Sequence, residues 1–101
     1  MTVSKPAPEC NSMLEVRAAI DEIDAALVAL LAERTSYIDR ATQLKPAIGM
    51  PARVNERVEE VVARVRATAK NRGLEPELAE TLWRILIDWS IAREETVLGK
   101  E

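Results

Sequence analysis

Two cations occupy positions where the sequence otherwise places apolar residues. Arg34 belongs to a series of mostly apolar residues spaced alternately by four and three positions, and Lys45 follows eleven residues later. Eleven steps of about 100° bring both side chains to nearly the same face of a helix. Burying two cations without an acid on that face costs free energy. The simpler interpretations of Arg34 are a partner acid on another helix or a side chain that extends its charged end to solvent. The alternative is a bound anion.

Polar groups also interrupt an apolar stripe near the end of the chain. Ile87, Ser90 and Glu94 are spaced i, i+3 and i+7, so a hydroxyl and a carboxyl extend an apolar helix face. The simpler interpretation is a solvated helix end. Taken with Arg34 and Lys45, the alternative is a cationic pocket with apolar walls. Such a pocket would bind a small anion that has more than one carboxylate.

The composition limits the chemistry of that pocket. The chain of 101 residues has no histidine and a net charge of −3. It therefore lacks the usual general base and the commonest metal ligand. The acidic balance argues against nucleic acid as a partner. We expect no metal and no cofactor, and a reaction that depends on positioning and electrostatic stabilisation rather than on proton transfer.

The same composition bears on location. No run of about 18 apolar residues is present, so we expect no membrane span. Residues 1–10 lack the apolar stretch of a signal peptide and are expected to form a disordered tail before a helical domain at 11–101. Cys10 is the only cysteine and can form no internal disulfide, which favours a cytoplasmic protein.

Three helices and no strands are expected, which gives an all-α fold. The helices are predicted at residues 11–45, 52–72 and 76–99. Ser12 and Glu15 have the spacing of a capping box, and Pro46 disfavours helix in the residue before it. Gly73 is suited to follow the end of the second helix, and Pro76 to open the third.

The first helix is too long for its own domain to cover. About 33 residues span roughly 50 Å, whereas a compact domain of about 100 residues has a radius of gyration of about 13 Å. Its heptad seam consists of Val16, Ile20, Ile23, Leu27, Leu30, Arg34, Tyr37, Ala41 and Leu44. We therefore expect a three-helix chain with a long first helix to form an intertwined helical homodimer.

Arg17 has two interpretations. It precedes Arg34 by seventeen residues, or about 260° around the helix, so one chain does not readily aim both side chains at one pocket. The simpler interpretation is an ordinary surface cation. In a dimer, however, the partner chain could bring Arg17 to the pocket.

The ordered set of motifs resembles the all-helical chorismate mutase family. The segments that carry the resemblance are VRAAIDEID at 16–24, LLAER at 30–34, Lys45, Glu56-Arg57-Val58, Gly73-Leu74 and LWRILIDWSIAREE at 82–95. The resemblance covers nearly the whole chain after residue 10. It implies a domain-swapped helical dimer in which each of two active sites draws on both chains. It also implies a cofactor-free Claisen rearrangement of chorismate to prephenate.

The resemblance assigns roles to three cations of the first helix. Arg34 matches the residue that binds one substrate carboxylate, and Arg17 of the other chain matches the residue that binds the second. Lys45 matches the donor to the ether oxygen, where negative charge grows as the C–O bond breaks.

Three further residues match positions around the same site. Arg57 corresponds to a second-helix arginine near the substrate, and Ser90 to a polar residue beside the ring carboxylate. Glu94 falls where many members have Gln and some have Glu, facing the ether oxygen. Only the protonated form of Glu94 can donate a hydrogen bond, so we expect activity to rise as the pH falls below neutral.

The chain departs from the mutase pattern at two positions of the second helix region. Many dedicated mutases have an acid that holds the ring hydroxyl where this chain has Val58, and an earlier acid where it has Val54. With Glu56-Arg57-Val58, and with Trp89 and Ile91-Ala92 on the third helix, the sequence is similar to the isochorismate pyruvate lyase branch, which forms salicylate and pyruvate. Ser90 is more typical of the mutases. A helical dimer that binds a carboxylate or a protein without chemistry is a further alternative.

Overall fold

The computed structural model describes residues 5–99. Its three α-helices are α1 (Met13–Leu44), α2 (Asn55–Arg72) and α3 (Pro76–Leu98), and two short 3-10 helices cover Ala7–Glu9 and Lys45–Ile48. Residues 5–99 contain no strand, which confirms the all-α, three-helix prediction. None of the helices in this range combines the length and the apolar composition that a membrane span requires.

The start of α1 is held by side-chain caps close to those predicted. The Glu15 amide donates a hydrogen bond of 3.2 Å to Ser12 Oγ. The Glu15 carboxylate accepts in return from the Asn11 amide at 2.8 Å, one residue before the donor that a standard capping box uses. Lys5 forms an ion pair with the same carboxylate. These contacts hold the negatively charged Glu15 carboxylate at the positive end of the helix dipole.

The helix ends agree with the prediction except at two boundaries. Lys45, expected as the last residue of the first helix, begins the 3-10 helix that leads into Pro46. The second helix begins at Asn55 rather than at Ala52, because Ala52 belongs to the connector and is buried there. Gly73 ends α2 in the left-handed conformation, with φ of 78°, as predicted.

The expected disordered tail is only partly within the described range. Residues 1–4 lie outside it. Within residues 5–10, Ala7–Glu9 form a 3-10 turn in which the Cys10 amide bonds to the Ala7 carbonyl.

The chain divides into two compact units, one ending at Ser36 and the other beginning at Tyr37. The first unit contains most of α1, and its apolar side chains are largely exposed. They include Leu14, Ile20, Ile23, Leu27, Val28 and Leu30. This stretch of α1 therefore has an apolar face that its own unit leaves uncovered.

The second unit contains the packed core. The helices α2 and α3 lie against each other. The core cluster comprises Ala52, Val62, Ile87 and Ile91. Ion pairs on the rim also join the two helices: Arg84 bridges Glu59 and Glu80, and Arg66 contacts Glu80 at 2.9 Å. Apolar packing at Ile87 and Ile91 and the ion pairs at Glu80 and Arg84 together hold α3 against α2.

Candidate functional site

The second unit brings Lys45 and Glu94 together. Lys45 Nζ lies 2.8 Å from Glu94 Oε1, and the two side chains are 14% and 6% exposed. The same ammonium donates a 2.9 Å hydrogen bond to the Ala52 carbonyl oxygen. Because water is largely excluded, the charges interact more strongly than a surface pair would.

The α3 stripe is buried as a continuous face. Ile87, Ser90, Ile91 and Glu94 are all buried, and α3 continues past them to Leu98. The interpretation of Glu94 as a solvated helix end is therefore wrong. Its carboxyl faces the interior because its helical spacing from Ile87 and Ile91 places it on the side of α3 that carries the core.

Glu94 also retains an unused hydrogen-bonding capacity. Its Oε1 is fully buried, and within residues 5–99 no donor meets it with hydrogen-bonding geometry. The contact with Lys45 has the distance of an ion pair, but it does not have the angle of a hydrogen bond. Buried polar atoms are usually satisfied, and here the charge of the Lys45 ammonium offsets the cost of burying this oxygen.

The three arginines predicted for the site are placed differently. Arg17 and Arg34 both lie in the first unit, where Arg17 is exposed and Arg34 is half-buried. Seventeen residues of helix correspond to about 25 Å, so the α1 helix of one chain does not bring these two arginines together. Arg57 lies in the second unit, is more than half exposed and pairs with Glu60 one turn along α2.

Sequence reasoning missed an ion pair that ties the end of α1 to α3. Arg93 holds Asp39 with two hydrogen bonds of 2.7 and 3.0 Å, and its guanidinium lies 5.5 Å from the ring centre of Trp89. The hydrogen bond from Arg93 is the main reason why the pKa of Asp39 is lowered. Helical periodicity gives no signal for this pair. Periodicity shows which residues share a face of one helix, but not which residues of two helices meet.

The connector after Lys45 borders an open groove. The groove has a volume of about 440 Å³ and is lined by Pro46, Gly49, Met50 and Pro51, by Val97 and Leu98 at the end of α3, and by Gly99, which follows it. Sequence reasoning also missed the role of Ala52, whose backbone carbonyl is the hydrogen-bond acceptor for Lys45. No side-chain pattern identifies a backbone acceptor in advance.

Comparison with known proteins identifies the family of this chain. Residues 16–95 match the family model for chorismate mutase type II. The chain is 29% identical over 88 residues to a chorismate mutase of Methanocaldococcus jannaschii, covering 87% of this chain and 89% of that one. It is 31% identical over 91 residues to an isochorismate pyruvate lyase of Pseudomonas aeruginosa, covering 89% and 88%.

A larger relative shares the same region. The chain is 30% identical over 93 residues to a bifunctional chorismate mutase/prephenate dehydratase of Buchnera aphidicola, covering 92% of this chain and 24% of that protein. The matched residues 16–95 include the cations of α1, the buried pair and the α3 stripe. With most of its length matched, the chain belongs to the chorismate mutase type II family.

Proposed function

We propose that this protein is a chorismate mutase, which converts chorismate to prephenate. The observation that carries the proposal is the Lys45–Glu94 pair, a cationic donor held at 2.8 Å from a buried carboxyl in an aliphatic core. Both residues lie in the region that matches the family model. Two of the similar proteins are a chorismate mutase and a bifunctional enzyme with chorismate mutase in its name.

The reaction suits a site without histidine or cofactor. A C–O bond breaks while a C–C bond forms, in one cyclic shift of electrons, so no proton is transferred and nothing is oxidised or reduced. What the protein must supply is a compact substrate conformation and positive charge at the ether oxygen. In our proposal Lys45 donates to that oxygen, and the Ser90 hydroxyl and the side chain of Glu94 line the same wall. Arg57 is exposed on α2 and pairs with Glu60, so its proposed contact with the substrate requires the side chain to turn inward.

We further propose that the active unit is a homodimer. Leu27, Leu30 and other seam residues of α1 are about half exposed in the single chain, which leaves more apolar surface than a monomer usually presents. On α3, Leu78, Leu82, Ile85 and Trp89 form a second exposed stripe at helical spacing. A second copy can cover both stripes and supply Arg17 to the site that contains Arg34.

The proposed substrate and setting follow from the same features. Arg34 of one chain and Arg17 of its partner would each bind a carboxylate, as expected for the small dicarboxylates chorismate or isochorismate. We propose a cytoplasmic reaction, since the single thiol of Cys10 can form no internal disulfide.

Isochorismate pyruvate lyase is the second candidate, and Val58 is the observation that favours it. Val58 is half-buried and packs against the core cluster, so no acid is available there for a ring hydroxyl. The similar lyase of Pseudomonas aeruginosa covers nearly the same length. The third alternative is a dimer that binds a carboxylate or a protein without catalysis. No contact within residues 5–99 favours it specifically.

A paired assay with purified protein tests the proposal. Chorismate loss and prephenate formation are measured in one reaction, and salicylate fluorescence with isochorismate in the other. Rapid prephenate formation without salicylate supports the mutase. Predominant salicylate formation supports the lyase, and turnover of neither substrate contradicts both enzymatic proposals.

A further inference from the structure

The connector between α1 and α2 is folded back on Lys45. After the 3-10 turn, Gly49 adopts the left-handed conformation with φ of 65°, and its amide bonds to the Pro46 carbonyl. The Met50 amide bonds to the carbonyl of Lys45 at 3.0 Å, which closes the turn. The chain then reaches Ala52, which is 5% exposed and belongs to the core cluster.

This turn places a backbone acceptor beside the Lys45 ammonium. The Ala52 carbonyl accepts from Lys45 Nζ at 2.9 Å, while Glu94 Oε1 lies 2.8 Å from the same nitrogen. An ammonium has three N–H groups in tetrahedral arrangement. One of them is donated to the Ala52 carbonyl, whereas the contact with Glu94 is an ion pair without hydrogen-bond geometry. Because the side chain sets the direction of the Cε–Nζ bond, this single hydrogen bond fixes the directions of the other two N–H groups.

We propose that the Gly49 turn is a positioning device for Lys45. Gly49 is the positioning residue, because its left-handed conformation directs the chain to Ala52, whose carbonyl holds the ammonium in one orientation. The donor then needs no reorientation when charge develops on the substrate. The inference rests on the proposed function, in which Lys45 is the donor to the reacting oxygen.

Two glycines of this chain make a matched pair for the test. Gly49 and Gly73 both have positive φ, of 65° and 78°, and an added Cβ would meet nothing within 4 Å at either position. Replacement by alanine therefore strains the backbone similarly without a clash. Only the Gly49 turn closes on Lys45, because Gly73 lies at the end of α2, outside this connector. Asparagine tolerates the left-handed region better than alanine does, so Gly49→Asn serves as the rescue.

The kinetic test compares these variants on whichever substrate the wild-type protein converts. We expect Gly49→Ala to lower kcat by about tenfold to a hundredfold with KM little changed, as misplacement of a reacting group does. Gly73→Ala should stay within about twofold of wild type, and Gly49→Asn should recover most of the loss. Urea unfolding should show similar stability for the two alanine variants. Equal losses of kcat in both alanine variants would overturn the inference.

A second measurement does not depend on activity. Lysines are labelled with limiting acetic anhydride, and mass spectrometry compares Lys45 with the exposed Lys70 of the same molecule. A held ammonium should react slowly in the wild type and severalfold faster in Gly49→Ala, but not in Gly73→Ala. An unchanged Lys45 to Lys70 ratio in Gly49→Ala would refute the positioning role. If the wild-type protein converts neither substrate, the proposed function fails, and this ratio alone decides whether Gly49 positions Lys45.

Discussion

Lys45 and Glu94 form an ion pair in which Nζ and Oε1 are 2.8 Å apart and both side chains are largely shielded from water. The pair joins the 3-10 helix that follows α1 to the last turns of α3. It lets a cationic donor remain in an aliphatic core while no substrate is bound, because each charge offsets the cost of burying the other. A dicarboxylate substrate would meet a donor that is already in place.

Replacing Lys45 by Met should separate catalysis from stability. We expect kcat/KM to fall at least about 100-fold, or roughly 3 kcal/mol, since the donor to the ether oxygen is lost. The free energy of unfolding should also fall by about 3 kcal/mol, because Glu94 is left buried without its partner. Enzyme kinetics and urea unfolding measure the two effects.

The double variant Lys45→Met/Glu94→Met is the control for that experiment. It removes both charges, so we expect stability to return to near the wild-type value. Activity should remain as low as in the single variant. A loss of kcat/KM below about tenfold in Lys45→Met would mean that another residue is the principal donor.

The side chain at position 94 offers a test of hydrogen-bond donation to the substrate. The carboxylate of the Lys45–Glu94 ion pair can only accept hydrogen bonds, whereas the amide of a Glu94→Gln variant can also donate one. We therefore expect kcat at neutral pH to be severalfold higher in Glu94→Gln than in the wild type. A kcat below that of the wild type would contradict the view that a donor at this position is useful.

The parts of the site that could be predicted are those that helical periodicity determines. Ser90 and Glu94 share a face with Ile87, and the buried α3 stripe agrees with that spacing. The glycine after α2 was also predictable, because a left-handed residue is needed there. These features depend only on the residues of one helix and the turn that follows it.

Contacts between elements were beyond such reasoning. Periodicity gives the face on which Asp39 lies, but not the turn of α3 that stands opposite, so its pair with Arg93 was not foreseen. The second helix was predicted to begin at Ala52, which packs in the core as part of the connector instead. No sequence pattern identifies the Ala52 carbonyl as an acceptor. Gly49 does mark the turn that brings this carbonyl to Lys45.

Val58 offers a test of substrate preference. Because the resemblance implies that an acid at this position holds the ring hydroxyl of chorismate, Val58→Glu should lower KM for chorismate by about tenfold, the value of one good hydrogen bond to a charged group. The ratio of mutase to lyase turnover should rise with it. Val58→Gln, which has similar size without the charge, is the control for lost packing against the core. An unchanged ratio would show that Val58 does not set the preference.

Asp39 should make the folded state sensitive to acid. The pKa of Asp39 is lowered by its hydrogen bonds from Arg93, so the folded protein binds a proton there less readily than the unfolded chain does. The resulting stabilisation is present above the unfolded pKa and is lost as the pH falls through the lowered, folded-state pKa. We expect Asp39→Asn to lower the urea midpoint at about pH 7 and to match the wild type at about pH 2.

Asp88 provides the comparison for this surface pair. It meets Arg53 through one longer contact of 3.4 Å and is 70% exposed. Asp88→Asn should therefore change the urea midpoint at neutral pH less than Asp39→Asn does. Equal effects of the two substitutions would mean that the paired geometry of Asp39 and Arg93 adds no stability.

Mixed dimers can test whether each site uses both chains. In our proposal Arg34 of one chain and Arg17 of its partner serve one site, so the homodimers of Arg17→Ala and of Arg34→Ala should both be inactive. A heterodimer purified through two different tags then has one site with both defects and one with neither. It should recover about half of the wild-type activity. A site formed within one chain would leave every site of this heterodimer defective.

The reciprocal control pairs a wild-type chain with a chain that carries both substitutions. Shared sites predict an inactive heterodimer here, because each site has one defect, whereas sites within single chains predict about half activity.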